Sequence, residues 1–130
     1  MVCLDTSFLV DLLRGNQEAM AYLSQLQQTS EAVTVAAPTI FELVEAAELL
    51  RSPKEKLAIK QLLSSMTVLP LDNDAAWKAG ELSASLVRGG QSIGHIDTLI
   101  GAIASTHNEM LITRNVKHFS RISGLKVEKY

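Results

Sequence analysis

Hydrophobic and polar positions along this chain fall into two alternating rhythms. Short apolar or β-branched runs recur at Val2-Cys3-Leu4, Val33-Thr34-Val35-Ala36, Thr67-Val68-Leu69, Met110-Leu111-Ile112-Thr113 and Lys126-Val127-Glu128. Runs this short, rich in Val, Ile and Thr, predict strands. Longer stretches with apolar residues at helical spacing lie between them. The first is expected over Phe8 to Arg14, capped by Thr6 or Ser7 and stopped at Gly15-Asn16. A second runs from about Gln17 to Gln28, with Ala19, Met20, Leu23 and Leu26 on one side. Pro38 suits the first turn of a long helix from about Thr39 to Arg51, and Ser52-Pro53 opens another that leads to Ser65. Asp72 or Asn73 caps a helix that reaches Arg88 and ends at Gly89-Gly90; Ile96 to His107 and Val116 to Arg121 complete the set.

Strands alternating with helices argue for the α/β class, built on a small and mostly parallel sheet. A length of 130 residues, without repeat or linker, fits a single domain over residues 1–130. The 47% apolar and 20% charged composition is that of a globular protein and sets disorder aside. With 5% aromatics there is little material for a base-stacking platform, and a net charge of −2 provides no global field for nucleic acid. Cations for such a substrate would be local, and Arg14, Arg88, Arg114 and Lys117 are the candidates. One cysteine, Cys3, excludes an internal disulfide; with no leader-like or bilayer-length apolar run, a cytoplasmic location without membrane contact is expected.

Three acids sit where this pattern does not ask for them. Asp5 ends a buried strand at the sheet's expected carboxyl edge, where ligand sites of parallel sheets collect. It could instead cap the next helix, although Thr6 and Ser7 are at hand for that. Glu42 belongs neither to the polar stripe of Phe41, Glu45, Glu48 and Ser52 nor to the apolar stripe of Ile40, Leu43, Val44 and Ala47. Its neighbours one and two turns on are Ala46 and Leu49, which makes burial of the carboxylate costly unless a cation or donor meets it. Asp97 lies off a core face of Ile93, Ile96, Leu99, Ile100 and Ile103. It sits beside Gly101 and Ala104, whose small size is expected to leave room for an ion. Simple stabilisation of a helix's first turn is the alternative for both Glu42 and Asp97.

Three carboxylates converging on one edge repel and raise one another's pKa unless a divalent cation neutralises them. Hard carboxylate oxygens suit Mg²⁺ or Mn²⁺ rather than zinc, and no Cys/His cluster or HExxH helix competes. Such an ion can activate water and steady the leaving oxygen of a phosphodiester.

These segments resemble the PIN-domain ribonucleases, in particular the VapC-type toxins of toxin–antitoxin pairs. The matching stretches are Leu4-Asp5-Thr6-Ser7, Phe41-Glu42-Leu43, Asp97 to Ala102 and Ile112 to Phe119, in the family's order and spacing. The resemblance implies a three-layer α/β/α sandwich, Mg²⁺- or Mn²⁺-dependent endoribonuclease activity, a homodimer, and an antitoxin whose tail blocks the site. It implies that Asp5, Glu42 and Asp97 are the metal-site acids and that Thr6 and Thr113 are helper hydroxyls. The fourth position, often Asp in the family, is Asn115 here, and His118 stands where related chains often carry a further acid. Those two departures leave open a PIN-like interaction protein with weakened nuclease activity. His118 is expected at the surface, and His95 and His107 in structural roles. Haloacid-dehalogenase chemistry would need an acid where Ser7 stands, and no P-loop or GxSxG elbow is present.

Overall fold

The computed structural model describes residues 1–130. Five strands, β1 (Val2–Leu4), β2 (Val33–Ala36), β3 (Thr67–Leu69), β4 (Met110–Ile112) and β5 (Val127–Glu128), form one sheet in the order β3-β2-β1-β4-β5. Every neighbouring pair is parallel, so the expectation of a mostly parallel sheet becomes an entirely parallel one. Seven helices connect them: α1 (Thr6–Leu13), α2 (Gln17–Gln28), α3 (Ala37–Leu49), α4 (Pro53–Leu63), α5 (Asn73–Arg88), α6 (His95–Thr106) and α7 (Val116–Phe119).

Alternation along the strands assigns the layers. Cys3, Ala36, Leu69 and Leu111 point to one face and pack with Ala75 and Leu86 of α5, Ile100 and Ile103 of α6, and Phe119 of α7. Their neighbours Val2, Leu4, Val35 and Ile112 point to the other, against Phe8 and Leu9 of α1, Ala19 and Leu26 of α2, Leu43 and Ala47 of α3, and Ile59 of α4. Both faces of the sheet are therefore covered, as a parallel sheet requires, and the result is a three-layer α/β/α sandwich. Burial raises the Cys3 thiol to about 12, which leaves it a core residue rather than a nucleophile.

Three local readings change. α1 begins at Thr6 rather than Phe8, Asp5 occupies the cap position, and no side chain caps the helix. Of the hydroxyls expected to cap it, Thr6 is engaged with Glu42 and Thr39, and Ser7 with the Asp5 side chain. Gly101 does not make room for an ion: it is buried, and a Cβ there would meet Ile122 Cδ1 at 2.3 Å. Ala104 is likewise fully buried in the core, so the small residues of α6 serve close packing of the segment after α7. Gly94, at the head of α6, takes φ +93, and Thr98 donates its hydroxyl to the Gly94 carbonyl at 2.7 Å. That turn suits glycine and sets where Asp97 emerges.

One further acid is buried at the opposite edge of the sheet. Glu109 immediately precedes β4 and is 3% exposed. The Thr34 hydroxyl donates to its Oε2 and lies 3.1 Å from the Val2 carbonyl, while Oε1 has no partner.

Candidate active site

Parallel strands bring their carboxyl ends to one edge, and the chain leaves β1 and β4 there side by side. The Asp5 amide donates to the Ile112 carbonyl at 3.0 Å, extending the ladder past Leu4 and fixing Asp5 against the exit of β4. Its side chain, 2% exposed, accepts through Oδ2 from Thr113 at 2.7 Å and from Ser7 at 3.1 Å. The other oxygen, Oδ1, is buried and unpartnered. Burial raises the Asp5 pKa, and the Thr113 hydroxyl, the Thr6 amide and the hydroxyl and amide of Ser7 oppose that rise.

Glu42 is half-buried on α3, and the Thr6 hydroxyl donates to its Oε1 at 2.6 Å. Thr6 also lies 3.1 Å from the buried Thr39 hydroxyl, so α1 and α3 are joined through a pair of threonines. The reason for singling out Glu42 needs amending. Ala46 and Leu49, its apolar neighbours along α3, are exposed, and what draws the carboxylate inward is the Thr6 donor.

Asp97 lies in the first turn of α6. Its pKa is pushed up to about 6, first by burial and then by the negative charges of Asp5 and Glu42. Asp97 thus feels the charges of both other acids, which places the three within electrostatic reach of one another. His118 opposes the shift, with Nδ1 3.7 Å from Asp97 Oδ2. It is at the surface, as expected, yet it faces the acid cluster. No lysine or arginine forms a salt bridge with Asp5, Glu42 or Asp97.

Asn115 is exposed at the head of α7, and its amide nitrogen donates to Thr113 Oγ1 at 3.0 Å. Thr113 thus links the Asp5 carboxylate to the Asn115 backbone. Ser7 was not singled out from the sequence, yet it accepts from the Arg114 amide at 3.2 Å and lies 3.4 Å from Thr113. A hydroxyl two residues after a strand-end acid was the available signal. Arg14 moves out of the picture: it follows the last residue of α1, about 12 Å along from Thr6. It lines a groove of Val10, Leu13, Leu43, Leu50 and Ile59.

The donor set fits a hard divalent cation. It offers carboxylate oxygens without nearby cations, one of them orphaned in the interior, and hydroxyls that hold the carboxylates' other oxygens. As placed, no three His, Cys, Asp or Glu side chains close into a ready ligand cage, so the acids form an open set rather than a preformed socket.

A family model described as the PIN domain matches residues 2–125. The chain belongs to the PIN-domain family. Among curated relatives, the tRNA(fMet)-specific endonuclease VapC of Shigella flexneri is 28% identical over 128 residues, covering 98% of this chain and 96% of its own. Ribonuclease VapC10 of Mycobacterium tuberculosis is 30% identical over 128 residues, covering 97% and 91%. Among solved structures, DNA-bound VapBC from Salmonella typhimurium matches with a TM-score of 0.89 and 25% identity over 99% of this chain and 98% of that one. These likenesses run the length of this PIN domain, so they include the strand ends that carry Asp5 and Thr113.

Proposed function

We propose that this PIN domain is an endoribonuclease that hydrolyses RNA phosphodiester bonds with Mg²⁺ or Mn²⁺, and that it is the toxin of a toxin–antitoxin pair. The observation that carries the reading is the buried, unpartnered Oδ1 of Asp5, set among acids that raise the Asp97 pKa. A carboxylate oxygen left without donor or water in an interior is costly, and a cation removes that cost. Asp5, Glu42 and Asp97 would hold the ion, with the Asn115 amide oxygen as a neutral donor at the rim. Bound there, such an ion supplies a Lewis acid for the phosphoryl oxygen and a water acidified toward neutral pH. The chain's own groups do the orienting. Thr113 and Ser7 hold Asp5 Oδ2 so that Oδ1 is the free oxygen, and Thr6 fixes Glu42 against α1.

Relatives named as ribonucleases and VapBC complexes among the solved structures support the reaction and the pairing with an antitoxin. Exposed apolar surface supports protein partners. One cavity of about 350 Å³ is lined by Ala37, Pro38, Phe41, Leu71, Ile96 and Leu99, and we assign it to a second copy of the chain. The groove beside Arg14, about 300 Å³, suits an antitoxin segment. No helix is long and apolar enough to cross a membrane.

The test is cleavage of tRNA and of single-stranded RNA by the purified chain with Mn²⁺, compared with Asp5→Ala. Activity should fall on the order of a thousandfold in the variant and vanish with EDTA. Equal, EDTA-insensitive cleavage by both proteins would leave a PIN-like binding protein in its place.

A further inference from the structure

Arg114 stands between the two residues that bind the acid site's hydroxyl network, and its own side chain is held in a way that network does not require. Its guanidinium Nη1 donates to both carboxylate oxygens of Asp11, at 3.1 and 3.0 Å. The Asp11 side chain is 7% exposed, and its Oδ2 also accepts from the Tyr130 hydroxyl at 2.5 Å. The Tyr130 ring meets the fully buried Phe8 edge-on, with centroids 4.5 Å apart. Burial and the adjacent Asp11 push the phenol to about 12, so it remains a donor at any physiological pH. Asp11 is therefore held by two donors at once, Arg114 and Tyr130.

Only one nitrogen of the guanidinium is used. Nη2 and Nε make no hydrogen bond within the chain, and the side chain is 54% exposed. Meanwhile the Arg114 amide donates to Ser7 Oγ, which donates to Asp5, and the preceding Thr113 donates to Asp5 as well. The backbone of Arg114 is thus tied to the acid site while half of its fork is open to solvent. A site holding Asp5, Glu42 and Asp97 in a chain of net charge −2 repels polyanions and needs a cation at its border.

We propose that Arg114 is a contact for a substrate phosphate next to the acid site, and that Asp11 and Tyr130 are its positioning residues; this rests on the nuclease reading above. A guanidinium gripped by one nitrogen still presents two donors to a phosphate, which a lysine ammonium in the same place does not.

The test uses the full chain and a mixed-sequence oligoribonucleotide. Binding is measured in the cleavage-silent Asp5→Asn background. Adding Arg114→Ala should weaken every sequence alike and flatten the slope of log affinity against log salt by about one. Arg114→Lys should keep the slope, but in the otherwise native chain it should lower kcat on the order of tenfold. Asp11→Asn, which retains the shape of the anchor, should also lower kcat on the order of tenfold without weakening RNA binding. Added to Arg114→Ala, it should cost nothing further. Tyr130→Phe, which keeps the ring against Phe8, should give the same defect more mildly and serves if Asp11→Asn does not fold. An unchanged salt slope for Arg114→Ala overturns the proposal. So does Asp11→Asn cleaving at the native rate, or losses from Asp11 and Arg114 that simply add. If the native chain cuts no RNA, the nuclease reading fails, and the salt slope still decides Arg114.

Discussion

Two acids are buried at opposite edges of the same sheet, and by solvent exposure alone they are twins. Asp5 is 2% exposed and Glu109 is 3%, and each keeps one oxygen without a partner. What separates them is company. Asp5 lies at the carboxyl edge, where it and Glu42 raise the pKa of Asp97, and Thr113, Ser7 and Thr6 hold Asp5 and Glu42 by hydrogen bonds. Glu109 lies at the amino edge, hydrogen-bonded by Thr34 and within reach of the Met1 amino group's positive charge, with no second orphaned carboxylate beside it. A lone orphaned carboxylate is a packing cost. Several that converge, with their second oxygens held by hydroxyls, make a site for a cation.

The difference is sharpest when metal is added. Saturating Mn²⁺ should stabilise the chain by about 2.7 kcal/mol at a hundredfold excess over its dissociation constant, near 10 °C in melting temperature. Asp5→Asn should abolish that increment and Glu109→Gln should leave it intact, as thermal melts with and without Mn²⁺ will show. A shift that survives in Asp5→Asn but disappears in Glu109→Gln would exchange the two edges. Next comes the helix that carries Asp97. Gly101→Ala forces a methyl onto Ile122 and should cost about 1–3 kcal/mol in denaturant unfolding, with Ile122→Ala restoring part of it. No loss would mean that the space beside Asp97 is open after all. The smallest effect concerns pH. Burial and the neighbouring acids push the Asp97 pKa up to about 6 in the fold from the ordinary 3.8, so the folded state binds the extra proton between those values. Without metal, stability contributed by protonated Asp97 is present at low pH and lost as pH rises through about 6. Asp97→Asn should remove that slope and raise the melting temperature at pH 7 by about 4 °C, roughly 1 kcal/mol. A native chain whose melting temperature climbs steadily over the same window would contradict it.

Much of this was legible in order along the chain, and little of it across the chain. The strand runs at Val2, Val33 and Met110 stand out because both faces of each are mostly buried, so the apolar signal is continuous, whereas the edge strand at Thr67 buries only Leu69 and is marked by its β-branched residues. Asp5 was visible as a charge where such a run stops, and Glu42 as a residue off both stripes of α3. The donor expected to meet Glu42 is there, in Thr6 of another helix, but Ala46 and Leu49, read as its apolar surroundings, face solvent. Gly101 was misread: helical spacing puts it beside Asp97, but the space it leaves is filled by Ile122, 21 positions later. Asp11 gave no sign at all. Its partners are 103 and 119 positions away, and no local periodicity encodes contacts at that separation.

The hydrogen bond from Thr113 to Asp5 spans 108 positions and joins the exits of the central strand β1 and its neighbour β4. During synthesis the chain emerges from its amino end, so β1 waits with one flank bare until β4 has left the ribosome. A product interrupted before residue 110 has no strand to hold Asp5 and no Thr113 to aim it. Assembly of the acid site therefore depends on the last stretch of the chain.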